Sequence, residues 1–270
     1  MSGSSPERPD ATADATPHLT PQVSLDGGEL ARGLYLDLVK RCLLDSIYAD
    51  QRFGAPQTET RAAGFQWPAV AHTMIGAQRL GNLQDCVEDV IRNQVPGDLI
   101  ETGVWRGGAC ILMRAVLQAH GVFDRRVFVA DSFEGLPAPD AETYPYDAGL
   151  DLSVYEELAI PLEQVQENFR RYGLLDDRVQ FLKGWFKDTL PNAPIDCLAV
   201  MRLDGDLYES TIQAFEALYP KLSVGGYVIV DDYGAVAACA RATHDFRDAN
   251  GIDDEIVTVD ATGVFWQRTR

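Results

Sequence analysis

The chain has 270 residues, with 41 Asp and Glu against 23 Lys and Arg, for a formal net charge of −18. An acidic body repels phosphate backbones and anionic lipid head groups, which excludes non-specific nucleic-acid or membrane-surface binding and points to neutral or cationic small molecules as partners. No apolar run approaches the ~18 residues that cross a bilayer, and five scattered cysteines without a C-x-x-C pair fit the reduced thiols of a cytoplasmic protein.

In chain order, residues 1–28 are rich in Pro, Ser and Thr, lack periodicity, and read as a disordered tail. Leu30, Leu34, Leu38, Val39, Leu43 and Ile47 recur at helical spacing and predict an amphipathic helix over 29–48. Its apolar face is the expected contact of a homodimer or larger assembly. Residues 50–70 are polar and punctuated by Gly and Pro, a mobile segment or lid, and Leu80, Leu83, Val87, Val90 and Ile91 mark a second helix. Residues 29–95 therefore read as an N-terminal helical cap or lid region, and 96–270 as a Rossmann-like domain.

After Pro96-Gly97 short apolar strands alternate with helices: strands at 98–102, 126–131, 179–182, 196–203 and 226–231, helices at 108–120, 161–172, 209–221 and 236–249. Such alternation makes a parallel sheet with right-handed crossovers. Glu255–Val259 and Val264–Gln267 are joined by a turn too short for a crossover, so the last strand is expected to be antiparallel. The prediction is an α/β, seven-stranded doubly wound sheet, not a six-stranded all-parallel dinucleotide fold.

The first strand runs into Glu101-Thr102-Gly103-Val104-Trp105-Arg106-Gly107-Gly108 and then a helix. Ligands of doubly wound sheets sit at such a strand end, where glycines admit a backbone and the helix offers free N–H groups. Trp105 stands where a G-x-G-x-x-G loop has its second glycine, which disfavours a pyrophosphate and hence NAD or FAD. S-adenosylmethionine needs no such room, and Glu101 is expected at its ammonium. Asp131, followed by Ser132, closes the second strand at the right distance to accept hydrogen bonds from a ribose diol. Gly184, Trp185 and Phe186 follow the third strand and offer a surface for adenine stacking or core packing. Asp204 closes the fourth strand, and Asp231 and Asp232 close the fifth. Three carboxylates at adjacent strand ends, without His or Cys nearby, suit a hard cation such as Mg²⁺, although one of the last two could cap the following helix. Of the four histidines, only His72, next to the suspected lid, is a candidate to touch the ligand.

These residues resemble the macrocin O-methyltransferase type of deoxysugar methyltransferases. The resemblance rests on AHTMIG at 71–76, IETGVWRGG at 100–108, VADSF at 129–133, GWFKDTL at 184–190, VMRLDGD at 200–206 and GGYVIVDDY at 225–233. It implies a seven-stranded methyltransferase domain using S-adenosylmethionine, with Mg²⁺ on Asp204, Asp231 and Asp232. It also implies that the Thr73–Met74 region folds over the cofactor, that Asp204 is the base, and that a glycosylated small molecule is methylated on a sugar hydroxyl in antibiotic tailoring. Pro137–Leu158 departs from the family text. It is read as a substrate lid in which Tyr144, Tyr146 and Tyr155 close over an aglycone, Tyr144 standing nearest to where some relatives carry a histidine. The alternative is a catechol-type O-methyltransferase acting on a phenolic diol.

Overall fold

The computed structural model describes residues 27–47 and 67–270. The tail read at 1–28 and the segment read at 50–70 fall almost wholly outside the described residues, as does His18. The elements are α1 (Gly27–Leu43), α2 (Ala77–Arg92), β1 (Asp98–Thr102), α3 (Gly108–Ala119), β2 (Val127–Asp131), α4 (Leu162–Arg171), β3 (Val179–Lys183), α5 (Phe186–Thr189), β4 (Leu198–Leu203), α6 (Tyr208–Leu218), β5 (Leu222–Val230), α7 (Ala237–Ala249), β6 (Val257–Thr258) and β7 (Val264–Gln267).

The strands form one sheet in the order β3-β2-β1-β4-β5-β7-β6. The first five pair in parallel, and β7 runs antiparallel to both β5 and β6. β2 (VFVAD) and β4 (LAVMRL) are near-continuous apolar runs buried almost throughout, as strands covered on both faces must be. Alternation along the strands then sorts the core. Leu99, Val127, Val129 and Ala199 pack with residues of α1 to α4, whereas Ile100, Phe128, Ala130 and Met201 pack with those of α6 and α7.

Several expectations are corrected. The first helix ends at Leu43 and not at 48, because the chain turns through Asp45 at φ 52°. Its apolar residues also form two stripes. Leu36, Val39 and Leu43 are buried, but Leu30, Leu34 and Leu38 are 53%, 64% and 50% exposed. At 100° per residue the two sets lie on opposite sides of the helix, although simple i, i+4 matching groups them. The strand expected at 255–259 is only two residues long, and α5, a single turn after β3, was not anticipated.

Candidate functional site

The parallel registers align the strand ends. Thr102 stands opposite Leu203, and Leu203 opposite Val230, so the residues that follow β1, β4 and β5 emerge side by side. The amide of Asp204 donates to the carbonyl of Thr102 (2.9 Å), and that of Asp231 to the carbonyl of Leu203 (2.9 Å). Gly103, at φ +80°, lies directly against the Asp204 backbone just beyond the ends of β1 and β4. A Cβ there would run into the Asp204 carbonyl, so only glycine fits.

This register brings Asp204, Asp231 and Asp232 together, with one carboxylate oxygen of each within 4.8 Å of the others. The three are not the bare carboxylates that the local sequence indicated. Arg202, 1% exposed, pairs with Glu101, Asp204 (2.7 Å) and Asp231, and Arg79 on α2 bridges Asp231 and Asp260 (3.0 Å to the latter). Asp231 thus meets a guanidinium on each oxygen. Asp232 differs, because its Oδ2 is buried and accepts no hydrogen bond from the described residues. Neither aspartate caps the next helix, since α7 begins after Val236 without a side-chain cap. Burial, with Asp206, Asp204 and Asp231 around it, holds the Asp232 carboxyl well above the usual range. Asp206 was not singled out from the sequence. It adopts φ 57°, and burial together with Asp204 and Asp231 pushes its carboxyl up to about 7. Its only sequence signal is its place in the run Asp204-Gly205-Asp206.

A cavity of about 320 Å³ opens beside this cluster. Of the expected cofactor residues it is lined by Met74, Gly103, Trp105, Asp131, Ser132, Gly184, Trp185 and Phe186, together with Asp204 and Asp206. Asp131 accepts the amides of Val104 and Phe133, both at 2.7 Å, and so ties the glycine loop to the end of β2. Burial raises the Asp131 pKa, and the backbone N–H groups of Phe133, Val104 and Trp105 pull against that rise.

Other expected cofactor residues serve the frame. Glu101, 2% exposed, is held by Arg202 and by the Cys110 thiol at 2.9 Å, so it cannot reach a ligand ammonium; burial pushes its carboxyl up to about 7. Arg106 donates to the carbonyls of Pro68 (3.1 Å) and Ala71 (2.8 Å). A Cβ on Gly107 would strike Val165, and one on Gly108 would strike the His72–Thr73 backbone and side chain, so these glycines admit neighbouring protein. Thr73 is buried and its Oγ1 accepts the amide of Ile75 (3.4 Å), while His72 meets the Tyr172 hydroxyl (3.0 Å). In the 137–158 segment Pro137, Ala138 and Leu158 line the cavity, and the three tyrosines do not. Tyr144 and Tyr146 lie against Tyr208, and Tyr155 lies edge-on to Trp67.

A seven-stranded sheet with an antiparallel last strand, and a nucleoside-sized cavity beside an acidic cluster at its parallel strand ends, define a Rossmann-like methyltransferase. The chain belongs to the family described as "Macrocin-O-methyltransferase (TylF)", whose pattern matches residues 49–268. It is 58% identical over 248 residues to the 8-demethyl-8-(2,3-dimethoxy-alpha-L-rhamnosyl)-tetracenomycin-C 4'-O-methyltransferase of Streptomyces olivaceus, covering 89% of this chain and 95% of that one. It is 55% identical over 246 residues to the demethyldecarbamoylnovobiocin O-methyltransferase of Streptomyces niveus, covering 88% and 94%. The solved structure of the O-methyltransferase NovP superposes with a TM-score of 0.85 at 56% identity, over 88% of this chain and all of that one. The protein is an S-adenosylmethionine-dependent O-methyltransferase. No described helix is long and apolar enough to cross a membrane.

Proposed function

We propose that this enzyme methylates a hydroxyl of a deoxysugar on a glycosylated natural product, with Mg²⁺ held by Asp204, Asp231 and Asp232. The observation that carries the reading is the adjacency of a nucleoside-sized cavity and a three-carboxylate cluster that share Asp204. The unpartnered Asp232 Oδ2 fits a cation, and an all-oxygen donor set fits a hard one. The sugar acceptor is supported by the printed activity of the tetracenomycin relative, whose acceptor carries a rhamnosyl group.

When bound, S-adenosylmethionine supplies an electrophilic methyl group and Mg²⁺ stabilises negative charge on an acceptor oxygen. The chain's own residues do the positioning. Asp131 accepts the ribose hydroxyls, and Gly103 lets β1 approach the Asp204 backbone so that both sites abut. Arg202 orients Asp204 and Asp231. Asp204, the base expected from the sequence, has one oxygen paired with Arg202 and would share its carboxylate with the cation. We assign proton acceptance to Asp206, which lines the cavity and stands outside the three-residue cluster.

An acceptor with two adjacent oxygens suits such a cation, and a net charge of −18 favours neutral or amino sugars over phosphorylated ones. The adjacent oxygen can be an ether, since the rhamnosyl group named for the tetracenomycin relative carries methoxy groups at positions 2 and 3. Mass spectrometry of the protein with S-adenosylmethionine, Mg²⁺ and a panel of glycosylated polyketides should show a gain of one methyl on the sugar. A monodeoxy analogue turned over as fast as the parent would refute chelation, and turnover of simple catechols alone would favour the phenolic reading. We place the enzyme in the cytoplasm, in keeping with five cysteines free of disulfides. We also assign it a homo-oligomer that buries the exposed Leu30, Leu34 and Leu38 stripe. Light scattering that returned a monomer would remove that assignment.

A further inference from the structure

The far wall of the cavity is formed by α6, and its geometry is set from a distance. Leu207, which precedes α6, has no side chain able to cap it. The cap comes instead from Asp147, 0% exposed, whose two carboxylate oxygens accept the amides of Tyr208 (2.6 Å) and Glu209 (2.9 Å). A buried carboxylate that satisfies two orphan N–H groups of a first helical turn fixes that turn firmly. Asp147 belongs to the 137–158 segment, so this segment sets where the first turn of α6 stands.

That turn presents Glu209 and, one turn on, Gln213 to the cavity. The Gln213 amide donates to Glu209 Oε1 at 2.9 Å and reaches the Tyr144 hydroxyl at 3.5 Å, which holds the carboxylate in one orientation. Its other oxygen accepts no hydrogen bond among the described residues. Gly205 is packed between α5 and α6, since a Cβ there would lie 2.9 Å from Ser210 and 3.3 Å from the Phe186 ring. Phe186 therefore abuts the first turn of α6. Glu209 and Gln213 line the same cavity as Asp131, Trp185 and Phe186.

We propose that Glu209, oriented by Gln213, recognises adenine by accepting a hydrogen bond from its 6-amino group, and that Asp147 is the positioning residue for this contact. The inference rests on the cofactor reading of the cavity. It adds a source of base selectivity that the glycine loop and Asp131 do not supply, since both face the sugar end. The chemistry is directional: a carboxylate accepts from an amino group and repels the carbonyl oxygen that replaces it in hypoxanthine.

The test is calorimetric titration of the full-length protein with S-adenosylhomocysteine and S-inosylhomocysteine. Wild type should bind the inosyl compound at least roughly tenfold more weakly, as expected when a hydrogen bond to a charged acceptor is replaced by repulsion. Glu209→Gln, whose amide both donates and accepts, should narrow the ratio to about threefold or less while still binding S-adenosylhomocysteine. Asp147→Ala should narrow it as well, and Asp147→Asn, which keeps an acceptor oxygen, should restore part of it. Equal affinities in wild type, or an undiminished ratio in Glu209→Gln, would overturn recognition by Glu209. A full ratio in Asp147→Ala would overturn the positioning role. Failure of wild type to bind S-adenosylhomocysteine would instead strike the cofactor reading itself.

Discussion

Asp131, the last residue of β2, and Asp232, just beyond β5, stand at the same carboxyl end of the parallel strands, and their surroundings are opposite. Asp131 accepts the N–H of Val104 in the glycine loop and that of Phe133 just beyond β2, so its charge is met by fixed dipoles of the main chain. Asp232 sits among Asp204, Asp206 and Asp231, and Arg202 and Arg79 reach its neighbours but not Asp232 itself. A carboxylate neutralised by backbone can accept hydrogen bonds from a neutral diol at little electrostatic cost. One that stays without a partner beside other carboxylates is a place for a cation. Two chemically identical side chains are given different tasks by what pairs with them.

The strongest way to break this comparison is to remove the guanidinium that organises the acidic end. Arg202→Met should destabilise the fold by about 3–5 kcal/mol, because it strands the buried Glu101 carboxylate and takes one of the two guanidinium partners from Asp231 and the one from Asp204. Urea denaturation reads the loss, and a change under about 1 kcal/mol would mean that the network is not what holds this region. Asp232→Asn sharpens the contrast from the other side. Turnover should fall roughly a thousandfold, about 4 kcal/mol of barrier, with the Mg²⁺ binding heat abolished and S-adenosylhomocysteine affinity retained. Full activity of this variant, or of wild type in EDTA, would make the cluster structural.

At the backbone-paired end, Asp131→Ala should weaken S-adenosylhomocysteine by roughly a hundredfold, on the order of 3 kcal/mol for two hydrogen bonds to a charged acceptor, and leave Mg²⁺ binding in place. Calorimetry that found affinity unchanged would leave Asp131 as a loop tie alone. The smallest effect falls on Asp260. Burial opposes its ionisation, but the amides of Gly263 and Thr262 and the Arg79 guanidinium hold its carboxyl below the usual range. A depressed folded pKa gives stability that is complete above the unfolded value near 4 and is lost as pH falls through the folded one. Asp260→Asn should therefore lower stability slightly at neutral pH and flatten the acid limb of the urea midpoint below about pH 4. An unchanged limb would show that this carboxylate is not coupled to folding.

How far the site could be read in advance depended on whether the partner of a residue is near it in sequence. Asp131 and the loop it ties are 27 positions apart, but the strand-loop-helix grammar relates them, so the cavity wall of Gly103, Trp105, Asp131, Gly184, Trp185 and Phe186 was legible. Glu101 was misread because Arg202, 101 positions away, is invisible beside it in the chain. Arg79 reaches Asp231 from 152 positions upstream, so the acidic end looked barer than it is. Gly107 and Gly108 read as ligand glycines, when the space they leave is filled by Val165, His72 and Thr73.

The sequence by itself determined the sheet, its antiparallel close and the meeting of Asp204, Asp231 and Asp232, because apolar periodicity and strand-end position are local properties that topology rules carry into space. Only the tertiary structure decided which carboxylates are paired, which face of α1 is buried, and that Asp147 caps α6 from 61 positions away. Those are contacts between surfaces, and charge compensation and packing act through distance in space, which no spacing along the chain encodes.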